Sequence, residues 1–157
     1  MEGLLQWLAQ TPVATALQGS TTLYIFFSAA HILSIGVLIG AVLPLDLRLA
    51  GLFRHVPVSV IGPFLGGAAA IGLICAIVTG ACLFLVDPVA YAANPAFLAK
   101  LVLVAFGGLN ALLQHRHSHW KAALADHPPA ASVRLFAMLS MTIWSAAVVA
   151  GRWIGFL

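Results

Sequence analysis

Long apolar stretches separated by short polar loops set the pattern of this chain. Four stretches carry almost no charged side chain, and they run over about 21–44, 62–86, 96–115 and 133–153. As a helix, each is long enough at roughly 1.5 Å per residue to cross a hydrocarbon core of about 30 Å. The pattern therefore predicts an all-α, polytopic membrane four-helix bundle, with residues 1–157 forming a single transmembrane domain.

Residues 1–20 form a separate segment before the first span. This segment carries Glu2 and no Lys or Arg, so it lacks the basic flank of a secretory signal, and we expect it to be retained. Thr11 followed by Pro12 is typical of an N-cap and a first-turn proline. We expect short helices that lie in the membrane interface, with Trp7 at the depth of the lipid headgroups.

Proline and capping residues mark the ends of the other helices. Asp87-Pro88 and Asn94-Pro95 each put a capping side chain before a first-turn proline, which predicts a short helix over about 89–93 before the third span. We expect Ser132 to cap the fourth span. Pro44 lies near the end of the first span, where it is expected to kink the helix without ending it.

The composition agrees with a protein whose main partner is the lipid bilayer. Of the 157 residues, 62% are hydrophobic and 7% are charged, whereas an average soluble domain has roughly 25% charged residues. Five basic residues lie at one set of helix ends (Arg48, Arg54, Arg116, Lys121, Arg134), and Lys100 and Arg152 lie toward the other. The positive-inside rule then predicts a multi-pass protein of the bacterial inner membrane with both termini in the periplasm. This topology accounts for the formal net charge of +3, so the charge does not indicate a nucleic-acid partner.

Small residues are frequent in the first two spans. Gly36 and Gly40 lie in the first span, and the second contains Gly62, Gly66, Gly67, Gly72 and Gly80. Small residues spaced four apart allow helix backbones to approach closely, so we expect these two spans to pack tightly. The alternative is that the small residues leave a slot for a flat ligand.

His31 is the side chain that most needs an explanation. It lies near the middle of the first span, where an imidazole is costly unless it faces protein, a cofactor or a partner. Lys100 and Arg152 are expected roughly 5–10 Å nearer the outer surface, counted along the helices. This arrangement suits haem b, with His31 as the metal ligand and the two cations on the propionates. Side chains expected to line the site are Trp144, Ser145, Asn110, Ser28, Phe97, Phe106 and Trp153.

A second axial ligand is missing from this picture. His115 lies roughly 15 Å from His31 along the axis, so one haem cannot easily join them within a chain. The iron is then five-coordinate, or His31 pairs with its copy in a homo-oligomer, or no haem binds and His31 is a hydrogen-bonded structural residue. Lys100 and Arg152 also have a simpler explanation, because long basic side chains near helix ends extend to the interface.

Other polar residues cluster at the predicted cytoplasmic ends. On one helix, His115 and His119 would share a face that can hold a transition metal, although a solvated surface is the commoner outcome and His117 adds no defined role. Asp46 with Arg48 and Arg54 resembles a surface ion-pair cluster. Asn110 is placed to form a hydrogen bond between helices.

Several strings together resemble a family of small uncharacterised four-helix bacterial inner-membrane proteins. They are Ala30-His31-Ile32-Leu33, Leu45-Asp46-Leu47-Arg48-Leu49-Ala50-Gly51, Asn94-Pro95-Ala96-Phe97-Leu98-Ala99-Lys100, Asn110 and Gly151-Arg152-Trp153-Ile154. The resemblance implies this topology and marks His31, Asp46, Lys100, Asn110 and Arg152 as motif positions. The chain is more distantly similar to copper-resistance D-type membrane proteins and b-type cytochrome bundles, which implies haem, although such bundles have several mid-membrane histidines.

The sequence thus predicts an integral membrane protein that binds haem b, or another redox partner such as quinone, through His31 for electron transfer. The alternative is a non-enzymatic transporter or accessory subunit that handles a metal ion or small anion, with Lys100 and Arg152 as docking charges. A third possibility is a bundle that only stabilises a larger membrane complex. The sequence does not identify a substrate or an electron partner.

Overall fold

The computed structural model describes residues 2–156, and this part of the chain consists of helices joined by short loops, without strands. Its helices are α1 (Glu2–Ala9), α2 (Pro12–Gly19), α3 (Thr21–Ala50), α4 (Val58–Phe84), α5 (Pro88–Ala93), α6 (Pro95–Arg116), α7 (Ser118–Leu124) and α8 (Ala131–Trp153). A 3-10 turn, Ile154–Phe156, follows α8. Four helices, α3, α4, α6 and α8, are long and apolar enough to cross a membrane, which supports an integral membrane protein.

The predicted caps are largely confirmed. Thr11 and Asp87 accept hydrogen bonds from backbone N–H groups in the first turns of α2 and α5, and Asn94 does so for α6. The prediction for Ser132 is wrong, because the helix begins earlier, with Ala130 as the N-cap and no side-chain cap. The Ser132 hydroxyl instead forms a hydrogen bond with His119 Nδ1 at 2.9 Å.

Two helices extend beyond the apolar stretches of the sequence. Helix α3 continues through Pro44 to Ala50, as expected of a helix that proline does not end, and it stops at Gly51 with φ 115°. Helix α4 begins at Val58, before the start of its apolar stretch at about 62. The extra turns carry polar side chains such as Asp46, Arg48 and Ser59.

The four long helices pack in the order α4, α3, α8, α6. The contact between α3 and α4 is the most extensive, followed by those of α6 with α8 and of α3 with α8. Over residues 2–156, α4 and α6 share no extended packing. The backbones of α4 and α6 therefore stand apart on one side of the bundle, and we call the space between them the α4–α6 cleft. Near the α5 end, the stacked rings of Phe84 and Phe97 bridge it, with their centroids 5.4 Å apart.

The apolar core lies at one end of the bundle. The end that carries α7 contains the largest group of buried apolar side chains: Leu45, Leu49, Val58, Trp120, Ala123, Val133 and Ala137. We call this the α7 end, and the opposite one, which carries α1, α2 and α5, the α5 end. Gln18 joins helices at the α5 end by donating to the Val86 carbonyl at 2.9 Å.

The tight packing of α3 on α4 is confirmed, but the glycines responsible are only partly those expected. A β-carbon at Gly72 would lie 2.7 Å from the Leu38 backbone nitrogen, so α4 approaches the backbone of α3 at this point. A β-carbon added at Gly36 or Gly40 would meet no neighbouring atom within 4 Å, because these glycines lie on the outer face of α3. Their expected role in helix packing is therefore wrong.

Candidate functional site

His31 lies on the face of α3 that meets α4. Its ring packs on Gly80, where an added β-carbon would lie 2.9 Å from His31 Cε1. The Nδ1 atom is 2.9 Å from the Thr79 hydroxyl. The ring is only partly exposed, so α4 supplies both the space and a hydrogen-bond partner for this imidazole.

The Thr79 hydroxyl determines which ring nitrogen carries the proton. Thr79 Oγ1 donates to the Cys75 carbonyl at 2.7 Å, and a hydroxyl has one hydrogen to give. A hydroxyl that gives its hydrogen to Cys75 accepts from His31, and we infer that Nδ1 carries the hydrogen in the neutral ring. Nε2 then carries the lone pair of the ring, and this nitrogen can accept a hydrogen bond.

Lys100 occupies the side of His31 that Nε2 faces. Its Nζ atom lies 3.5 Å from Nε2, and its aliphatic carbons lie about as close to Gly151 of α8, where an added β-carbon would be 3.4 Å from Cδ and Cε. A β-carbon at 151 would thus be in ordinary van der Waals contact with Lys100, which passes Gly151 on its way across the bundle. The pair brings two of the predicted site residues, from α3 and α6, into contact.

The acidic side chains that the structure describes are engaged elsewhere. Asp46 lies beside Ser140, Asp87 accepts from the Ala90 backbone, and Asp126 accepts from Ser59. Within this set no carboxylate balances Lys100. A lysine in a membrane span requires such a partner or a polar ligand, which makes the His31–Lys100 pair the strongest candidate site.

Arg152 is not part of this pair. It is exposed, and its guanidinium lies 4.6 Å above the centre of the Phe156 ring. Although Arg152 follows Gly151 directly, helical geometry turns consecutive side chains about 100° apart. Of the three residues expected to line one pocket, the structure brings only His31 and Lys100 into contact.

The other predicted lining residues are dispersed. Trp144 is buried against Gly107, where an added β-carbon would lie 2.7 Å from its ring, and Asn110 donates to the Phe136 carbonyl at 3.1 Å. Ser145 is exposed and Ser28 partly exposed, and the structure gives neither a hydrogen bond to His31. Phe97 stacks on Phe84 at 5.4 Å, while Phe106 and Trp153 are exposed. Trp144 and Asn110 therefore serve the contact between α6 and α8.

Sequence reasoning missed Thr79 and Gly80. The two adjacent residues lie in the most apolar span, and Thr79 is its one hydroxyl residue beyond Ser59. A threonine next to a glycine in such a span is the signal that could have identified the partner of His31.

Haem fits these residues only in part. An imidazole whose Nδ1–H is held by Thr79 is the arrangement that a metal-ligating histidine normally has, with Nε2 turned to the metal. Lys100 Nζ lies in that direction, however, at 3.5 Å. Among residues 2–156, no three His, Cys, Asp or Glu side chains cluster closely enough to hold a metal ion.

The histidines at the α7 end do not form the expected i, i+4 pair. Helix α6 ends at Arg116, and His117 has extended backbone angles, so His115 and His119 lie on different helices. His115 packs against Trp120, and the rings of His117 and His119 are 4.7 Å apart. The break at His117 is the physical reason why the single-helix prediction is wrong.

The predicted ion-pair cluster around Asp46 is also absent from the described residues. Arg48 donates to the carbonyls of Val56 and Arg54, and Arg54 donates to that of Gly51. These arginines close the loop after α3. Asp46 is 4% exposed and turns into the bundle toward Ser140.

The His31–Lys100 pair joins α3 to α6 beside α4. His31 touches α4 and Lys100 extends from α6, and both side chains, like Thr79, are partly exposed. The pair is therefore not sealed inside the bundle.

The fold and this site define a four-helix integral membrane protein with a polar pair inside its spanning region. The chain belongs to the family described as a family of unknown function, DUF6644, whose pattern matches residues 8–157. Comparison with curated proteins and with solved structures finds no match to this chain. The family match assigns no activity to the chain.

Proposed function

We propose that this protein binds a lipid-soluble redox cofactor with a quinone headgroup, through His31 and Lys100 in the α4–α6 cleft. The observation that carries the proposal is the 3.5 Å approach of Lys100 Nζ to His31 Nε2, with no carboxylate of the described residues beside them. A hydrogen-bond donor and a hydrogen-bond acceptor are thus adjacent inside an apolar bundle.

The two side chains complement the two forms of such a headgroup. The Lys100 ammonium is a donor for a carbonyl oxygen of the oxidised form. Once Lys100 turns from Nε2 to the headgroup, the His31 Nε2 lone pair accepts the hydroxyl proton of the reduced form, because Thr79 holds the ring hydrogen on Nδ1. Thr79 thereby keeps the imidazole in the tautomer that this role needs.

Access from the bilayer favours a ligand with an apolar tail. Helix α4 carries largely exposed apolar side chains, such as Ile74 at 61% and Ile77 at 55% exposure. An isoprenoid tail would cover such surface while the headgroup reaches Lys100. A water-soluble ligand would gain nothing from this route.

Haem b is the second form of the redox proposal. The hydrogen bond from His31 Nδ1 supports it, whereas the position of Lys100 requires that the lysine side chain swing away from Nε2. The resemblance of the sequence to b-type cytochromes and copper-resistance D-type proteins is a further reason to test for haem and electron transfer.

Binding of a short-chain quinone tests the proposal. The purified protein is titrated with ubiquinone-1 and menaquinone-1 analogues while its tryptophan fluorescence is followed. We expect at least one to bind, and Lys100→Met to weaken that binding about tenfold, the loss of a hydrogen bond to a charged group. Arg152→Met is the matched control and should bind like the wild type.

The absorption spectrum separates the two forms. A Soret band in protein from haem-replete cells that disappears in His31→Ala would establish haem. Protein that shows neither a Soret band, even after haem is added, nor saturable quinone binding would overturn the redox proposal.

A transporter or accessory subunit for a small anion is a second candidate, because Lys100 lacks a carboxylate partner among the described residues. It predicts anion flux in proteoliposomes, or a stable partner protein, without a chromophore. Lys100→Met and Arg152→Met should each reduce the flux or the partner binding. If both variants behave like the wild type, this candidate fails.

The location in the bacterial inner membrane, with the α7 end in the cytoplasm and both termini in the periplasm, is proposed from the distribution of basic residues. Cysteine labelling of Ser118→Cys and Gln10→Cys in intact cells tests it. Only the second variant should react with an impermeant maleimide in a Cys75→Ala, Cys82→Ala background. Pairing of His31 across a homo-oligomer is tested by the mass of the detergent-solubilised particle.

A further inference from the structure

Two buried oxygen atoms in the α7 half of the bundle have no hydrogen-bond donor. They are Asp46 Oδ2 on α3 and Asn110 Oδ1 on α6, and each side chain is 4% exposed. An acceptor left without a donor in an apolar interior costs free energy on the scale of a lost hydrogen bond or more. A proton, a water molecule or a cation is needed to satisfy these two oxygens.

Both oxygens adjoin one turn of α8. Asn110 Nδ2 donates to the Phe136 carbonyl at 3.1 Å, which fixes the amide beside this turn. Ser140, one helical turn later, is 6% exposed and lies against the Asp46 carboxyl group. Three helices thus converge their polar side chains on Phe136–Ser140.

The charged groups of the surrounding helices turn away from Asp46. Arg48 of α3 donates to the Val56 carbonyl, and α4 has no charged residue or histidine. On the remaining helices the charged or titratable side chains near the α7 end are exposed or lie at the helix break: His115, Arg116, His117, His119, Lys121 and Arg134. No described cation is therefore available to balance an ionised Asp46.

We propose that Asp46 and Asn110 form a proton-binding site, in which Asp46 Oδ2 carries a proton and donates it to Asn110 Oδ1, directly or across one water. One proton satisfies both orphaned oxygens and leaves no net charge in the apolar interior. The Ser140 hydroxyl, 6% exposed, is the polar side chain of α8 beside the Asp46 carboxyl group. This proposal stands independently of the quinone proposal.

The site gives the bundle titratable side chains in both halves. His31 and Asp46 lie on the same helix, 15 residues apart, which corresponds to about 22 Å along the axis. Asp46 lies at the end that the arginines and lysine mark as cytoplasmic.

Infrared spectroscopy tests the proposal directly, because the chain has only four Asp and Glu residues. Asp87 and Asp126 are exposed, and a Glu2→Gln background removes the fourth carboxyl side chain. In that background, the carbonyl stretch of a protonated carboxylic acid at pH 7 can come only from Asp46. We expect this band in the parent, its loss in Asp46→Asn, and its shift to higher frequency in Asn110→Ala. Asp87→Asn is the matched control and should leave the band unchanged.

Three results would overturn the proposal. The first is absence of the band at pH 7. The second is a band that Asn110→Ala leaves unmoved, which would separate the two oxygens even if Asp46→Asn fails to fold. The third is a band present in choline chloride and lost in sodium chloride, since a metal cation would then be the ligand that these oxygens hold in salt.

Discussion

Gly72 of α4 lies directly on the backbone of Leu38 of α3. A β-carbon at position 72 would stand 2.7 Å from the Leu38 nitrogen and 3.0 Å from the Ser34 carbonyl oxygen. Backbone atoms cannot rotate away as a side chain can. The missing side chain at this one position therefore sets the separation of the two helices that hold His31 and Thr79.

Gly72→Ala should accordingly separate α3 from α4. We expect a loss of about 1–3 kcal/mol in the free energy of unfolding, the range for overpacking a tight contact. Gly67→Ala is the matched control, because a β-carbon there meets nothing within 4 Å. It should be neutral or stabilising by up to about 1 kcal/mol, since alanine is the better helix former. Denaturant titration in detergent measures both, and equal effects would contradict this account of the contact.

Thr79→Val should release His31 from its single tautomer. Valine matches threonine in shape but cannot accept the 2.9 Å hydrogen bond from Nδ1. We expect a mixture of Nδ1–H and Nε2–H forms in ¹⁵N NMR of the imidazole and a loss of about 1 kcal/mol in stability. Thr142→Val is the control, because the Thr142 hydroxyl donates only to its own helix, at Met138. An unchanged His31 spectrum in Thr79→Val would show that Thr79 does not select the tautomer.

Asn94 joins the start of α6 to the end of α8. Its Oδ1 accepts from the backbone N–H groups of Ala96 and Phe97 at 3.0 and 3.2 Å, and its Nδ2 donates to the Ile154 carbonyl at 3.2 Å. Asn94→Ala should lose the cap and the link, at about 0.5–2 kcal/mol for the cap alone. Asn94→Ser keeps a capping oxygen and should recover most of that loss. Thermal unfolding that ranks serine no better than alanine would contradict the capping role.

Asp126 ties α7 to the first turn of α4. Its carboxylate accepts from the Ser59 backbone N–H at 3.0 Å and from the Ser59 hydroxyl at 2.5 Å. These hydrogen bonds, led by that of the Ser59 side chain, lower the pKa of Asp126 below its usual value of 3.8. A lowered pKa means that the carboxylate form stabilises the fold above pH of about 4, and that this contribution is lost as the pH falls through the folded-state pKa.

Asp126→Asn should remove this pH dependence. Asparagine keeps the shape and tolerates the positive φ of 60° at this position, so the backbone is not strained. At pH 7 the variant should melt below the wild type, and the difference should shrink as the pH is lowered below about 4. Melting curves that stay parallel over this range would show that the charge of Asp126 has no part in the tie.

Local features were readable from the sequence because local forces produce them. Apolar length predicts the spans, and a capping side chain followed by proline predicts the starts of α2, α5 and α6. Helices α3 and α4 extend past the apolar stretches at the loop between them, and hydropathy does not predict these extra turns. Loop contacts such as the hydrogen bond from Arg48 to the Val56 carbonyl stabilise them. The same limit explains Ser132, whose hydroxyl bonds to His119 and not to its own helix.

By itself the sequence determined the all-helical membrane architecture, the single histidine within the first span and the lysine near the start of the third, because each follows from the cost of placing polar groups in lipid. Only the tertiary structure decided which groups meet. Gly80 and Thr79 hold His31 against α4, Lys100 of α6 lies 3.5 Å from its Nε2 atom, and Asn110 of α6 donates to the Phe136 carbonyl of α8. Which faces of packed helices oppose each other depends on backbone separation and rotation, and small residues control both across distances that no local pattern spans.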